Sequence, residues 1–91
     1  MCAGHRHEET KNVVNRLSRA AGHLESVKRM VEEERDCADV LIQLAAVRAA
    51  INKAGQILLK DHISHCVKEA LETGDQESID KLNKAIEQFL K

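Results

Sequence analysis

The sequence predicts an all-α protein with three helices per chain, and three observations carry that prediction. No proline occurs in the 91 residues, so nothing locks φ or removes a backbone donor inside a helix. Apolar residues recur at three- and four-residue intervals, the period of a helix face, and no stretch alternates as a half-buried strand would. Thr73-Gly74-Asp75 is a stop-and-restart signal. Glycine fits the left-handed position that ends one helix, and aspartate caps the next.

The first helix is expected from about Glu9 to Glu34, with Val14, Leu17, Ala21, Leu24, Val27 or Lys28, and Val31 as its apolar stripe and Lys11, Arg16, Arg19 and Lys28 mostly off it. Glu32 to Asp36 reads as a charged turn. Asp36 is a suitable N-cap for the second helix, and Asp39 adds a favourable negative charge in its first turn. That second helix is expected over Asp36 to Glu72, carrying Val40, Leu41, Leu44, Val47, Ile51, Leu58, Leu59, Ile63, Val67 and Leu71. It is long beside the globular average of about 11–12 residues. The third helix follows Asp75, with Ile79, Leu82, Ala85, Ile86, Phe89 and Leu90 on one side. Residues 1–8 read as a mobile leader that holds three possible ligands, Cys2, His5 and His7.

The second helix carries the chemistry. His62 and Cys66 are four residues apart and share a face of a helix. Cys37 lies 25 residues before His62, a separation of about 37 Å along a continuous helix at about 1.5 Å per residue. One chain cannot bring these groups together, but a second copy running antiparallel can. The two-fold axis would then pass near Ala50 and Ile51, within a run of small residues (Ala45, Ala46, Ala49, Ala50, Ala54, Gly55) that lets helices approach closely. Such a homodimer has two identical Cys-His-Cys sites. Two thiolates and an imidazole are a soft set suited to Cu(I), and a fourth ligand would let the set hold Zn(II) or Ni(II). The competing reading makes Cys37 and Cys66 buried structural residues and His62 a surface histidine. His65 points away from the pair, and His23 is expected to be structural or exposed.

Composition bounds the rest. The 91 residues suit one domain, 1–91, and the only aromatic side chain is Phe89, so a monomer would have a thin core and burial against a partner is expected. No apolar run approaches the roughly 20 residues that span a bilayer. The first residues lack a hydrophobic signal region, so a cytoplasmic location is expected. In a reducing compartment the three cysteines serve better as ligands or reactive thiols than as disulfides. A net charge of −1 excludes a globally basic nucleic-acid binder, yet residues 1–31 hold six Lys and Arg against three Glu, a formal +3. A local basic face on the first helix, or simply a solvated surface, accounts for that. Glu-x-x-His pairs, a Gly-rich phosphate loop and an aromatic platform are all missing from the sequence, so no enzyme is expected.

Together NRLSRAAGHLESVKRMVE, DCADVLIQLAAVRAAIN and ILLKDHISHCV resemble the CsoR/RcnR/FrmR family of bacterial repressors, from about Lys11 to Lys91. The resemblance implies a three-helix protomer, an antiparallel four-helix-bundle homodimer and a homotetramer. It further implies a repressor, without a conventional helix-turn-helix, that leaves double-stranded operator DNA when its inducer binds. Copper sensors of the family use Cys, His and Cys, which Cys37, His62 and Cys66 match. The nickel or cobalt sensors add an N-terminal histidine, and His5 falls at that place. Asp36 stands where copper sensors often have Tyr, and Lys81 where they often have Glu. The family's basic DNA-contacting residues map onto Arg16 and Lys53, and Arg19 is added as their charged neighbour. The expected function is therefore a Cu(I)-sensing repressor. A Ni(II) sensor using His5 is the alternative within the family, and a metal-buffering bundle without DNA binding is the alternative outside it.

Overall fold

A computed structural model describes residues 9–91, apart from the side chains of Ser64 and Cys66. Every regular element among the described residues is helical: α1 (Thr10–Glu32), α2 (Cys37–His62), a π-helical segment (Ile63–Val67), α3 (Lys68–Thr73) and α4 (Gln76–Leu90). The all-α expectation holds, and the first helix is slightly shorter at both ends than expected. The long second helix is present as three segments, because a π-helical stretch interrupts it. The backbone does not break there: His62 and Val67, at its two junctions, are both right-handed helical. The described residues form two compact units, 11–54 and 55–91, the latter together with 9–10.

In the first unit α1 and the N-terminal part of α2 form an antiparallel hairpin. Its connection has no glycine. Arg35 N–H donates to Met30 O at 3.0 Å and Glu34 N–H to Val31 O at 3.1 Å, the paired bonds of a Schellman ending. Glu34 occupies the left-handed position, at φ 55°. The core of the hairpin is the row Val13, Ala20 and Val27, at seven-residue spacing on α1, with Val47 and Ala54 from α2. This differs from the expected stripe. Of that stripe only Val27 is buried, while Val14, Leu17, Leu24 and Val31 stay exposed. Helix α1 thus has two apolar rows, and the row of smaller side chains packs within the chain. The larger residues are left on the surface, as are Leu41, Ile42, Leu44 and Ile51 of α2.

In the second unit α3 ends at Gly74, at φ 72° and ψ 24°. Asp75 N–H reaches back to Ala70 O at 2.9 Å. Asp75 then caps α4: its Oδ1 accepts from Ser78 N–H at 3.1 Å, and its Oδ2 accepts from the Ser78 hydroxyl at 2.6 Å. The Ser78 hydroxyl and then its N–H hold the Asp75 carboxyl below the ordinary aspartate range. Helix α4 turns Leu82, Ala85, Ile86 and Phe89 toward the end of α2, and the Phe89 ring sits directly on Gly55. So one glycine of the small-residue run admits a ring of its own chain.

Candidate functional site

Cys37 is the first residue of α2, and its thiol is free and exposed. That removes the reading in which Cys37 is a buried core residue of the single chain. The start of the helix is set by Asp36, whose carbonyl accepts from Val40 N–H at 3.0 Å. His62 is the last residue of the same 26-residue helix. It is half-buried and forms part of the wall of a cavity of about 290 Å³, otherwise apolar and lined by Leu58, Leu59, Leu82, Ile86 and Phe89 among others. The cavity's polar wall is therefore an imidazole set among aliphatic and aromatic carbon.

Cys66 lies in the π-helical segment that begins immediately after His62. A π-turn bonds i to i+5 instead of i to i+4 and is used sparingly in proteins, frequently at functional sites. Here it falls between two expected ligands and widens the backbone turn that separates them. His65, in the same segment, is exposed. His5, with Cys2 and His7, lies outside the described residues. Among the described residues no three His, Cys, Asp or Glu side chains gather where one chain could hold a metal ion. Cys37 and His62 are the first and last residues of one helix.

Arg16, Arg19 and Lys53, the basic residues expected to meet DNA, all belong to the first unit. Arg16 is half-buried, and its Nε donates to Asn12 Oδ1 at 3.2 Å. That bond holds the guanidinium from its inner side and leaves its two terminal nitrogens for another acceptor. Arg19 and Lys53 are exposed. The ion pairs of Lys28 with Glu25 and of Arg35 with Glu33 do not involve these three cations. Arg16 and Arg19 line an open depression of about 260 Å³ with Ala20, His23 and Ala50. Sequence reasoning missed the Asn12 support and the π-turn. The i, i+4 spacing of Asn12 and Arg16 was the available signal for the first, and no composition cue marks the second.

Among the described residues no helix is long and apolar enough to cross a membrane. The description of a metal-sensitive transcriptional repressor family matches residues 9–88. The chain is 38% identical over 85 residues to the copper-sensing transcriptional repressor CsoR of Bacillus subtilis, covering 92% of this chain and 84% of that protein. It is similar in structure to the copper-sensing repressor CsoR with Cu(I) from Geobacillus thermodenitrificans, with a TM-score of 0.82 and 41% identity over 92% of this chain and 88% of that one. It is also similar to the nickel-responsive transcriptional regulator InrS, with a TM-score of 0.74 and 40% identity over 94% of this chain and 98% of that one. The match spans nearly the whole chain in sequence and in fold: the chain belongs to the family of metal-sensitive transcriptional repressors.

Proposed function

We propose that the chain is a cytoplasmic Cu(I)-responsive repressor, not an enzyme, that works as an antiparallel homodimer paired into a homotetramer and leaves operator DNA when metal is bound. The observation that carries this reading is the position of an exposed thiol and a histidine at opposite ends of one helix. An antiparallel copy turns that separation into proximity.

The donor set fits a soft ion. Cys37 of one protomer, with His62 and Cys66 of the partner subunit, would hold Cu(I), since thiolates and imidazole select it. Bound there, the ion supplies a link between subunits. The rest falls to the chain's own residues. Ala45, Ala46 and Ala49 are exposed on α2 and would let a second α2 approach closely. Beside them an open trough of about 530 Å³, lined by Leu24, Leu41, Leu44, Val47 and Ile51 among others, leaves apolar surface to be covered. Arg16, Arg19 and Lys53 would bind phosphates, which makes the affinity strongly salt-dependent. A conformation favoured by the linked site, and less suited to DNA, couples the two sites in the strict thermodynamic sense. The likeness to copper-sensing repressors supports the choice of metal.

A second reading, in which His5 joins Cys37, His62 and Cys66 around Ni(II), is favoured by the likeness to InrS; the same four ligands could hold Zn(II). Operator binding followed by fluorescence anisotropy, repeated anaerobically with Cu(I) and with Ni(II), tests both. Release by Cu(I) alone supports the first reading, and release by Ni(II) alone replaces it with the second.

A further inference from the structure

His23 and Gln43 are joined across the α1–α2 hairpin, with His23 Nε2 donating to Gln43 Oε1 at 2.8 Å. The two helices run antiparallel, so equal steps in opposite directions along them return to neighbouring residues. Seven residues back from His23 stands Arg16, and seven residues on from Gln43 stands Ala50, and both line the depression that also holds Arg19 and His23. Lys53 follows three residues later on the same side of α2. One face of the hairpin therefore shows, in order, the His23–Gln43 pair, Arg19, Arg16 and Lys53, with Ala20 and Ala50 as a low floor between the helices.

The pair is chemically one-sided. The Gln43 oxygen is engaged by His23, while its amide nitrogen carries two donors that no other described residue takes up. Gln43 is exposed, His23 is half-buried, and the bond between them is itself exposed, so the amide is within reach of an external acceptor. A glutamine that reads adenine needs both its oxygen and its nitrogen. Gln43, with its oxygen held, offers donors only, beside three cations without ion-pair partners among the described residues. The complementary surface is a row of acceptors.

We infer that Gln43 donates to a phosphate oxygen of double-stranded DNA, extending the contact made by Arg16, Arg19 and Lys53, and that His23 is the residue that positions it. This rests on the repressor reading above. The contact is neutral, so it adds affinity without displacing a counterion.

The test measures affinity for the operator and for an unrelated duplex of equal length, each over a range of salt. Gln43→Ala should weaken both by a similar factor, roughly fivefold for one net hydrogen bond per binding event, and leave the slope against log salt unchanged. Arg16→Ala should instead lower that slope by about 0.9 per lost phosphate contact. Gln43→Glu keeps the size of the exposed side chain, replaces its donors by a carboxylate and should weaken binding more than Ala does. His23→Ala should match Gln43→Ala, and the double variant should be no weaker than either single one, the mark of a positioning residue. Metal-induced release should persist throughout. Wild-type affinity in the Gln43→Glu variant overturns the inference, as does a loss confined to the operator, which would mean base reading. Failure of the unaltered protein to bind either duplex would instead sink the repressor reading itself.

Discussion

The ring of Phe89 lies on the backbone of Gly55, with its Cζ where a side chain at that position would begin. Helix α4 is pinned to the end of α2 by the chain's only aromatic residue, and a glycine makes the room. In Gly55→Ala the added methyl overlaps the ring. Because the ring is near the end of α4 and 40% exposed, it can swing outward, so the cost should sit toward the low end of overpacking, about 1–2 kcal/mol. Urea unfolding should show that loss, and hydrogen exchange should locate it in α4 while α1 stays protected. Adding Phe89→Leu to the Gly55→Ala chain should recover part of the stability. If the alanine variant is as stable as the parent, the ring is not an anchor.

Glu34 ends α1 in the left-handed conformation, at φ 55°, where a β-carbon crowds the following carbonyl. Glu34→Gly should relieve that strain, offset in part by the greater freedom of glycine in the unfolded chain. A net gain of about 0.5–1 kcal/mol is expected, seen as a rise of a few degrees in Tm. Glu34→Ala retains the β-carbon and should not show the gain.

The cap at Asp75 has a pH signature. Bonding from Ser78 favours the carboxylate and depresses the folded-state pKa. Its contribution to stability is therefore complete above the ordinary aspartate range and is lost as pH falls through that range toward the folded value. Ser78→Ala should fray the first turn of α4 at neutral pH, and the difference from the parent should shrink in acid. Helicity followed by circular dichroism between neutral pH and pH 3 checks this. A difference that grows in acid would contradict the assigned sign.

Much of this architecture could be read from residue spacing. Gly74 and Asp75 announced their roles because each has a single strong backbone or capping preference, and the structure uses both as expected. The end of α1 was not legible in the same detail, since Glu34 holds by hydrogen bonding a position that composition would assign to glycine. Nor was the division of α1 into two rows: Val13–Ala20–Val27 and Val14–Leu17–Leu24–Val31 both satisfy a helical period. Periodicity alone does not say which row a partner element covers. The π-turn after His62 escapes for a related reason. One extra residue in a turn leaves the hydrophobic pattern on either side nearly unchanged, although it alters the backbone between His62 and Cys66.

Cys37 and His62 occupy the two ends of a single helix, and this allows a test by subunit mixing. Cys37→Ala should bind operator as the parent does and ignore Cu(I), and His62→Ala should do the same. In a heterodimer of the two variants, one candidate site lacks both Cys37 and His62. The other pairs the intact Cys37 of the His62→Ala chain with the intact His62 and Cys66 of the Cys37→Ala chain. Mixing two inactive proteins should therefore restore one tight Cu(I) site per heterodimer, half the number of the parent dimer. Differently tagged chains, purified as the mixed species and titrated against a Cu(I) chelator, provide the measurement. A site confined to one chain could not be rebuilt in this way, so a heterodimer without tight Cu(I) binding would reject the cross-subunit assignment even if both single variants behave as expected.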